Sequence, residues 1–458
     1  MQAVPPLFRM EGITKRYGGV LALDRAELAV SLRSYAPPPP AVVDWITAHA
    51  IPLATAEPGH GFADLAAIGP LIGAARVVAL GEATHGTREF FQLKHRVLEY
   101  LVATQGFTMF AIEADQPECR AINDYVLHGT GDARVALDGL HKWPWSTAEV
   151  LAMIEWMRAW NADPAHPRKV QFAGFDMLTS RVAYASVARF LARVAPDAGP
   201  GLLAPIAALA GEMAVASAAV AALTDDGVHQ LRGGLTALAQ AFDAHRAAWA
   251  SAAGGAVFDE VRHDAEILAQ AGQRYIDARA GKGDGELRSR SMAANLLWIL
   301  AHQPAGTRAV VWAHNGHVAT ATANADPASV NMGTYLREAL KADYVNVGFV
   351  FSQGAFQAET LAGPRAGVNE VVLGAPSDID VTAAFARSGK PLVIADLRAV
   401  PDRGEVHDWF AAPHPMREVG VFFSTAESTI SEVTLRGRYD AVIFVGTTTR
   451  ARPVHLPY

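Results

Sequence analysis

The chain has 458 residues, of which 51% are hydrophobic and 19% are charged, enough apolar surface for one large core or for two to three modules. Its net charge of −7 argues against a nucleic-acid partner, because such a protein needs a basic face. The single cysteine, Cys119, excludes an internal disulfide and leaves too few thiolates for a cysteine-based metal site. We therefore expect a cytoplasmic globular protein with neither a nucleic-acid nor a membrane partner.

Residues 1–40 differ in character from the rest of the chain and contain no signal-peptide pattern. Phe8–Val20 resembles the first strands of an ABC-transporter ATPase. Such a domain needs a P-loop, and no G-x-x-x-x-G-K-[S/T] occurs in the sequence. A nucleotide-binding transporter component is thus a disfavoured alternative. We interpret residues 1–40 as an N-terminal extension that ends in the stiff linker Pro37–Pro40.

From residue 41 onward, short apolar runs alternate with helical stretches. Strands that are apolar throughout and separated by helices are typical of a mostly parallel sheet covered by helices on both faces, an α/β architecture. The predicted strands are Val77–Leu80, Met109–Ile112, Val170–Ala173, Ala309–Ala313, Val345–Val350, Leu392–Ala395, Val421–Phe423 and Ala441–Val445.

An all-helical insertion is predicted for residues 183–305, where no strand pattern occurs and Ala, Leu, Gln, Arg and Glu dominate. It divides the α/β core into a first part, 41–182, and a second part, 306–458. The run Ala204–Leu223 is long enough to span a bilayer, but it is mostly alanine and contains Glu212. We predict an alanine-rich helix of the insertion there.

Four of the predicted strands are followed by histidines or carboxylates. In an open parallel sheet, ligands bind outside the carboxyl ends of the strands, so these side chains are expected to converge in one cleft. The residues that follow the four strands are Glu82 and His85, Glu113 and Asp115, Asp176, and His314 with His317.

Histidine and carboxylate are the chemistry that remains once other motifs are excluded. The sequence has no G-x-S-x-G nucleophile elbow and no H-E-x-x-H zinc helix. A histidine oriented by a carboxylate can take a proton from water and hydrolyse an activated carbonyl. The same residue types can also bind a metal ion that lowers the pKa of a bound water, and this alternative stays open.

Several stretches in this order resemble signatures of the erythromycin esterase family, and the resemblance runs from about Val43 to the end of the chain. They are Gly81–Phe91, Gly106–Thr108 with Ala111–Glu113, Gly174–Asp176, Ser291–Trp298, Ala313–His317, Met332–Leu336 and Tyr439–Phe444.

The resemblance implies a hydrolase that opens the lactone ring of macrolide antibiotics, with His85 as the catalytic histidine and Glu82 and Glu113 as its carboxylates. In this hypothesis His85 activates water, one glutamate orients it or holds that water, and His314 donates to the oxyanion or the leaving alkoxide. We expect Lys94, His317 and Asp176 to contact the substrate. No cofactor is implied. The alternatives are a metallohydrolase with His85, Glu113 and His314 as ligands, and an esterase acting on another ester.

Overall fold

The computed structural model describes residues 8–17, 20–30, 35–211, 220, 222–320, 330–360 and 367–454. The described strands are, in chain order, β1 Phe8–Tyr17, β2 Val20–Val30, β3 Ile51–Pro52, β4 Val77–Leu80, β5 Met109–Asp115, β6 Gln171–Asp176, β7 Ala309–Trp312, β8 Tyr344–Thr360, β9 Gly367–Leu373, β10 Leu392–Asp396, β11 His414–Arg417, β12 Phe422–Phe423, β13 Ile430–Val433 and β14 Ala441–Thr448.

The helices of the described residues lie mostly between these strands. They are α1 Pro40–His49, α2 Ile68–Ile72, α3 Arg88–Gln105, α4 Arg120–His128, α5 Ala133–Asp138, α6 Ala148–Ala162, α7 Arg181–Val194, α8 Gly199–Leu203, α9 Asp225–Ala244, α10 Arg246–Ala253, α11 Gly255–Arg279, α12 Gly285–Ala301, α13 Asn315–Val318, α14 Met332–Leu340, α15 Val381–Arg387 and α16 Glu405–Ala411. Short 3₁₀ turns lie at Leu65–Ala67, Ala204–Ala210, Lys341–Asp343, Leu397–Ala399 and Glu427–Thr429.

One ten-stranded sheet organises the α/β core, in the order β3-β10-β14-β8-β4-β7-β5-β6, with β9 and β12 paired to the far end of β8. The six consecutive strands from β14 to β6 are parallel. Strands β10 and β9 run antiparallel to their neighbours β14 and β8. The sheet is therefore mostly parallel, as predicted, with antiparallel additions at one edge and at the extension of β8.

Helices cover the sheet on both faces, because side chains alternate along each strand. Val78 and Leu80 of β4 point into a core formed with α3, α4 and α6. Val77 and Ala79 point into a second core formed with α1, α12, α14 and α15. Both faces of β4 are thus fully apolar, which explains its continuous apolar sequence and confirms the α/β prediction.

All eight predicted strands belong to the sheet, although several bounds differ. Strand β5 continues through Glu113 to Asp115, and β6 continues through Asp176. These carboxylates are therefore among the last residues of the strands and do not follow them. Strand β8 continues to Thr360, well beyond the predicted Val350. The sequence pattern missed β3, β9, β11 and β13, which are short or partly exposed and lack a continuous apolar run.

Between Arg181 and Ala301 the described residues form helices and no strand. A third core lies here, in which the rings of Phe190, Phe242, Trp249 and Phe258 contact one another. Of the alanine-rich run, residues 204–211, 220 and 222–223 are described, and the remainder of that predicted helix lies outside the described residues. Within the described part of the chain, every helix is too short or too polar to cross a membrane.

Candidate active site

The GEATHG turn joins the carboxyl end of β4 to α3 and is held by close main-chain packing. Gly81 N–H donates to Val347 O at 2.8 Å, which continues the pairing of β4 with β8. A Cβ atom on Gly81 would lie 2.2 Å from Asn315 Oδ1, and one on Gly86 would lie 2.2 Å from Gln357 O. Both positions therefore require glycine because another chain segment approaches the backbone.

Glu82 and His85 form a buried hydrogen-bonded pair in this turn. Glu82 Oε1 lies 2.7 Å from His85 Nδ1. Glu82 Oε2 accepts from Lys94 Nζ at 2.6 Å and from Trp312 Nε1 at 2.9 Å. Because both carboxylate oxygens are occupied, the orientation of Glu82 is fixed, and the acceptor at Nδ1 leaves Nε2 as the ring nitrogen of His85 that can accept a proton.

Lys94 contacts the Glu82 carboxylate of this pair and is closed off from solvent. Its side chain is fully buried, and its ammonium lies 4.4 Å from the centre of the Trp312 ring. Burial lowers the pKa of Lys94 to about 8, against the opposing effect of Glu82. The ammonium contacts the Glu82 carboxylate and supports its charge. The expectation that Lys94 contacts the substrate stays a prediction.

His314 follows β7 and faces His85, with 5.0 Å between the ring centres. Gly316 N–H donates to His314 Nδ1 at 3.1 Å, so Nδ1 carries a lone pair and the proton of the neutral ring resides on Nε2. Burial, followed by the neighbouring His85, lowers the pKa of His314 well below its ordinary value. Nε2 is buried and has no hydrogen-bond partner among the described residues. In this tautomer Nε2 is a neutral N–H donor without an acceptor among the described residues.

Glu113, in β5, contacts His314 at the end of β7 and Arg288 on α12. Its Oε2 accepts from the His314 main-chain N–H at 2.8 Å, and its Oε1 accepts from Arg288 Nη2 at 2.7 Å. His317 Nε2 lies 3.1 Å from the same Oε1. Burial alone would raise the pKa of Glu113, but His317 and Arg288 hold it well below its ordinary value. Glu113 is therefore an ionised organiser of the site.

Asp176 is 1% exposed and pairs with Arg288 through both oxygens, with Nη2 2.6 Å from Oδ2 and Nε 3.2 Å from Oδ1. The expectation that Asp176 contacts the substrate stays a prediction. His317 is different: its side chain is 21% exposed, so it lies at the open side of the cluster.

Arg288 is the residue that sequence reasoning missed. It belongs to α12, and its partners Asp176 and Glu113 precede it by 112 and 175 residues. The available signal was its position, one helical turn before the Ser291–Trp298 stretch that carried the family resemblance.

Aromatic side chains surround the two facing histidines. Trp145 packs edge-on against His85 with 5.7 Å between ring centres and donates from Nε1 to Glu113 O at 3.0 Å. Trp312 lies 5.7 Å from Trp145, also edge-on. These rings exclude water from Glu82 and so strengthen its interactions with His85 and Lys94.

Within the described ranges, the histidines, carboxylates and cysteine include no group of three or more placed to hold a metal ion. The Arg288 guanidinium contacts Glu113, Asp176 and His317, and so takes the position that a cation shared by these three side chains would need.

Comparison with known proteins places this site in context. The model of the family described as erythromycin esterase matches residues 102–448. An erythromycin esterase type II of Escherichia coli is 24% identical over 421 residues, which cover 85% of this chain and 98% of that protein.

Three solved structures share the fold at 18–24% identity. A Bacillus cereus protein superposes with a TM-score of 0.79 at 22% identity, covering 91% of this chain and 99% of that one. A succinoglycan biosynthesis protein gives 0.75 at 24%, covering 90% and 98%. An erythromycin esterase variant in its open conformation gives 0.69 at 18%, covering 86% and 96%.

Proposed function

Because the chain belongs to the erythromycin esterase family and is a carboxylic-ester hydrolase, we propose that it opens the macrolactone ester of macrolide antibiotics and so confers resistance to them. The proposed reaction is direct attack by a water molecule that His85 activates. The observation that carries the proposal is the buried Glu82–His85 pair facing the unpartnered Nε2–H of His314.

His85 is the proposed general base. Glu82 holds Nδ1, so the lone pair at Nε2 takes a proton from water as the water oxygen attacks the lactone carbonyl. The imidazolium that forms is stabilised by the Glu82 carboxylate at 2.7 Å. When the carbon–oxygen bond of the lactone breaks, the same proton passes to the leaving alkoxide. The product is an open-chain hydroxy acid, which equals the lactone plus one water.

His314 is the proposed oxyanion donor. A neutral Nε2–H in a buried site stabilises negative charge that develops on the carbonyl oxygen, because few competing dipoles need to reorganise. The proposal is supported by the Gly316 contact at Nδ1, which sets the tautomer, and by the lowered pKa, which keeps the ring neutral. Glu113 acts through His314 by accepting its main-chain N–H.

The test is mass spectrometry of macrolides of different ring sizes incubated with the protein, with His85→Ala as the matched variant. A gain of one water by a macrolide, lost in His85→Ala, would support both the substrate and the base. Hydrolysis that persists in His85→Ala would reject the mechanism.

No change in any macrolide would reject the substrate. A panel of other carboxylic esters, with and without a chelator, would then find the substrate class and separate a metal-dependent reaction from a histidine-dependent one.

A further inference from the structure

Arg288 joins helix α12 to the ends of the neighbouring strands β5 and β6. From α12 its guanidinium reaches Glu113 at the end of β5 and Asp176 at the end of β6, with Nη2 2.7 Å and 2.6 Å from the two carboxylates. A second bond from Nε to Asp176 makes that pair bidentate. A planar guanidinium makes this fork and a lysine ammonium does not, so the site selects arginine.

The same guanidinium competes with Glu113 for one nitrogen of His317. Arg288 Nη1 and Glu113 Oε1 each lie 3.1 Å from His317 Nε2. A guanidinium only donates, so the contact with Arg288 requires a lone pair at Nε2 and places the proton of His317 on Nδ1. The contact with Glu113 instead requires a proton on Nε2. Arg288 and Glu113 therefore compete for this nitrogen, while Glu113 Oε2 is bonded separately to the His314 main-chain N–H.

Glu113 links Arg288 to His314, because its two oxygens accept hydrogen bonds from both residues. Its Oε2 accepts the main-chain N–H of His314, whose Nε2 is buried and has no hydrogen-bond partner among the described residues. Without Arg288, two buried carboxylates would remain near each other with no shared cation. One of them would then take up a proton, and the contact with His314 would weaken.

We propose that Arg288 is a positioning residue for ester hydrolysis, which holds Glu113 and His317 so that the Nε2–H of His314 points at the developing oxyanion. This proposal rests on the proposed function. It adds to that function a residue from the helical segment, so that the site is complete only when α12 is docked on the sheet.

The experiment compares Arg288→Met, Arg288→Lys and the control Arg290→Met, an exposed arginine on the same helix. Initial rates on the ester that the unmodified protein hydrolyses give kcat and KM across pH 5 to 9. We expect Arg288→Met to lose about 100-fold in kcat with KM changed by less than about threefold, since the interaction acts on the transition state. Arg288→Lys should recover only part of this, and Arg290→Met should match the unmodified protein.

The charged groups that contact His317 are Glu113 from β5 and Arg288 from α12, and the His314 ring lies 6.5 Å away. Asp176 from β6 pairs with the same Arg288, and Lys142, paired to Asp115, interacts electrostatically with Asp176 and Arg288. Loss of Arg288 lowers the net charge of this group by one. We therefore expect the acid limb of kcat to move to higher pH in Arg288→Met. Nitrogen-15 NMR of the histidine rings should show the proton of His317 shift toward Nε2 in Arg288→Met, because Glu113 is then the remaining partner of that nitrogen among the described residues.

Two further results separate this proposal from the proposed function. If the macrolides fail as substrates, the rates are measured on another ester, and the NMR tautomer of His317 is decisive even without a substrate. The proposal is overturned if Arg288→Met keeps the pH profile, the kcat and the His317 tautomer of the unmodified protein. An equal loss in Arg288→Met and Arg288→Lys, with a lowered Tm in both and no change of the His317 tautomer, would also overturn it in favour of a purely structural role.

Discussion

Glu82 Oε1 lies 2.7 Å from His85 Nδ1, and neither side chain is more than 7% exposed. A carboxylate at this nitrogen selects the tautomer with Nε2 free and stabilises the imidazolium that forms when the ring takes a proton. Three elements hold the carboxylate itself: the turn that carries it, Lys94 on α3 and Trp312 on β7. The chemistry proposed for this chain depends on that arrangement.

Glu82→Gln is expected to lower kcat by on the order of 10²–10⁴, because the amide removes the charge and can turn its NH₂ toward Nδ1. The measurement is the rate of ester hydrolysis, with thermal unfolding recorded beside it. Glu89→Gln, in the first turn of α3, is the matched control, since Glu89 contacts Thr449 and not the histidines. A kcat within threefold of the unmodified value would contradict the role of Glu82.

Lys94 predicts an alkaline limit to activity. Its pKa of about 8 lies below the ordinary value of 10.5, so the ammonium is present at pH 7 and is lost as the pH rises through 8. Above that pH, Glu82 is a buried anion without its cation. We expect kcat to fall with an apparent pKa near 8.

Lys94→Arg should remove that limb, because a guanidinium keeps its proton throughout the same range. Hydrolysis rates from pH 6 to 10 for both proteins provide the test. Parallel profiles, with the limb present or absent in both, would show that Lys94 is not the titrating group.

His314→Ala is expected to lower kcat by about 10²–10³, the usual cost of one oxyanion donor, with a small change in KM. His314→Gln should retain more activity, because its amide supplies an N–H near the same place. Single-turnover rates separate this effect from product release. If the two variants keep full activity while remaining folded, the oxyanion is stabilised elsewhere.

Gly86→Ala is expected to destabilise the protein by about 1–3 kcal/mol, because the new Cβ meets main-chain atoms of Gln357 that cannot move independently of β8. The control is Gly233→Ala at an exposed position of α9, where nothing lies within 4 Å of the added Cβ. It should stabilise by about 0.5–1 kcal/mol. Urea unfolding measures both, and equal stabilities would contradict the close packing of the turn.

Chelation is expected to leave activity unchanged, because the Arg288 guanidinium already occupies the position between Glu113 and Asp176 that a metal ion would need. Hydrolysis is measured after dialysis against a chelator and again after single divalent metals are added. Loss of activity that one metal restores would favour the metallohydrolase alternative and would require Arg288 to move aside.

The sheet and the convergence of polar groups could be predicted because each depends on short stretches of sequence. A continuous apolar run such as Val77–Leu80 indicates a strand buried on both faces, and the residues at its carboxyl end must face the ligand edge of the sheet. This reasoning brought His85, Glu113 and His314 together. The assignment of their catalytic roles stays a prediction.

Two features could not be predicted in this way: the contacts of Arg288 and the full burial of Lys94. Arg288 on α12 contacts Glu113 and Asp176, which precede it by more than 100 residues. No local sequence pattern indicates a contact between residues so far apart in the chain. Lys94 lies on a helix whose residues are buried almost all round, so periodicity does not separate a cleft-facing from a buried ammonium.

The GEATHG turn has a further consequence for the order in which the protein matures. Its main-chain partners come from far along the chain: Ala83 O accepts from Val419, Gly86 O accepts from Gln357 and Ala451, and Arg88 donates to Thr449 O. During synthesis the turn leaves the ribosome more than 350 residues before the last of these partners. A nascent chain can thus form much of its early helix and strand structure, yet the GEATHG turn gains its last main-chain partner only after Ala451 has been added.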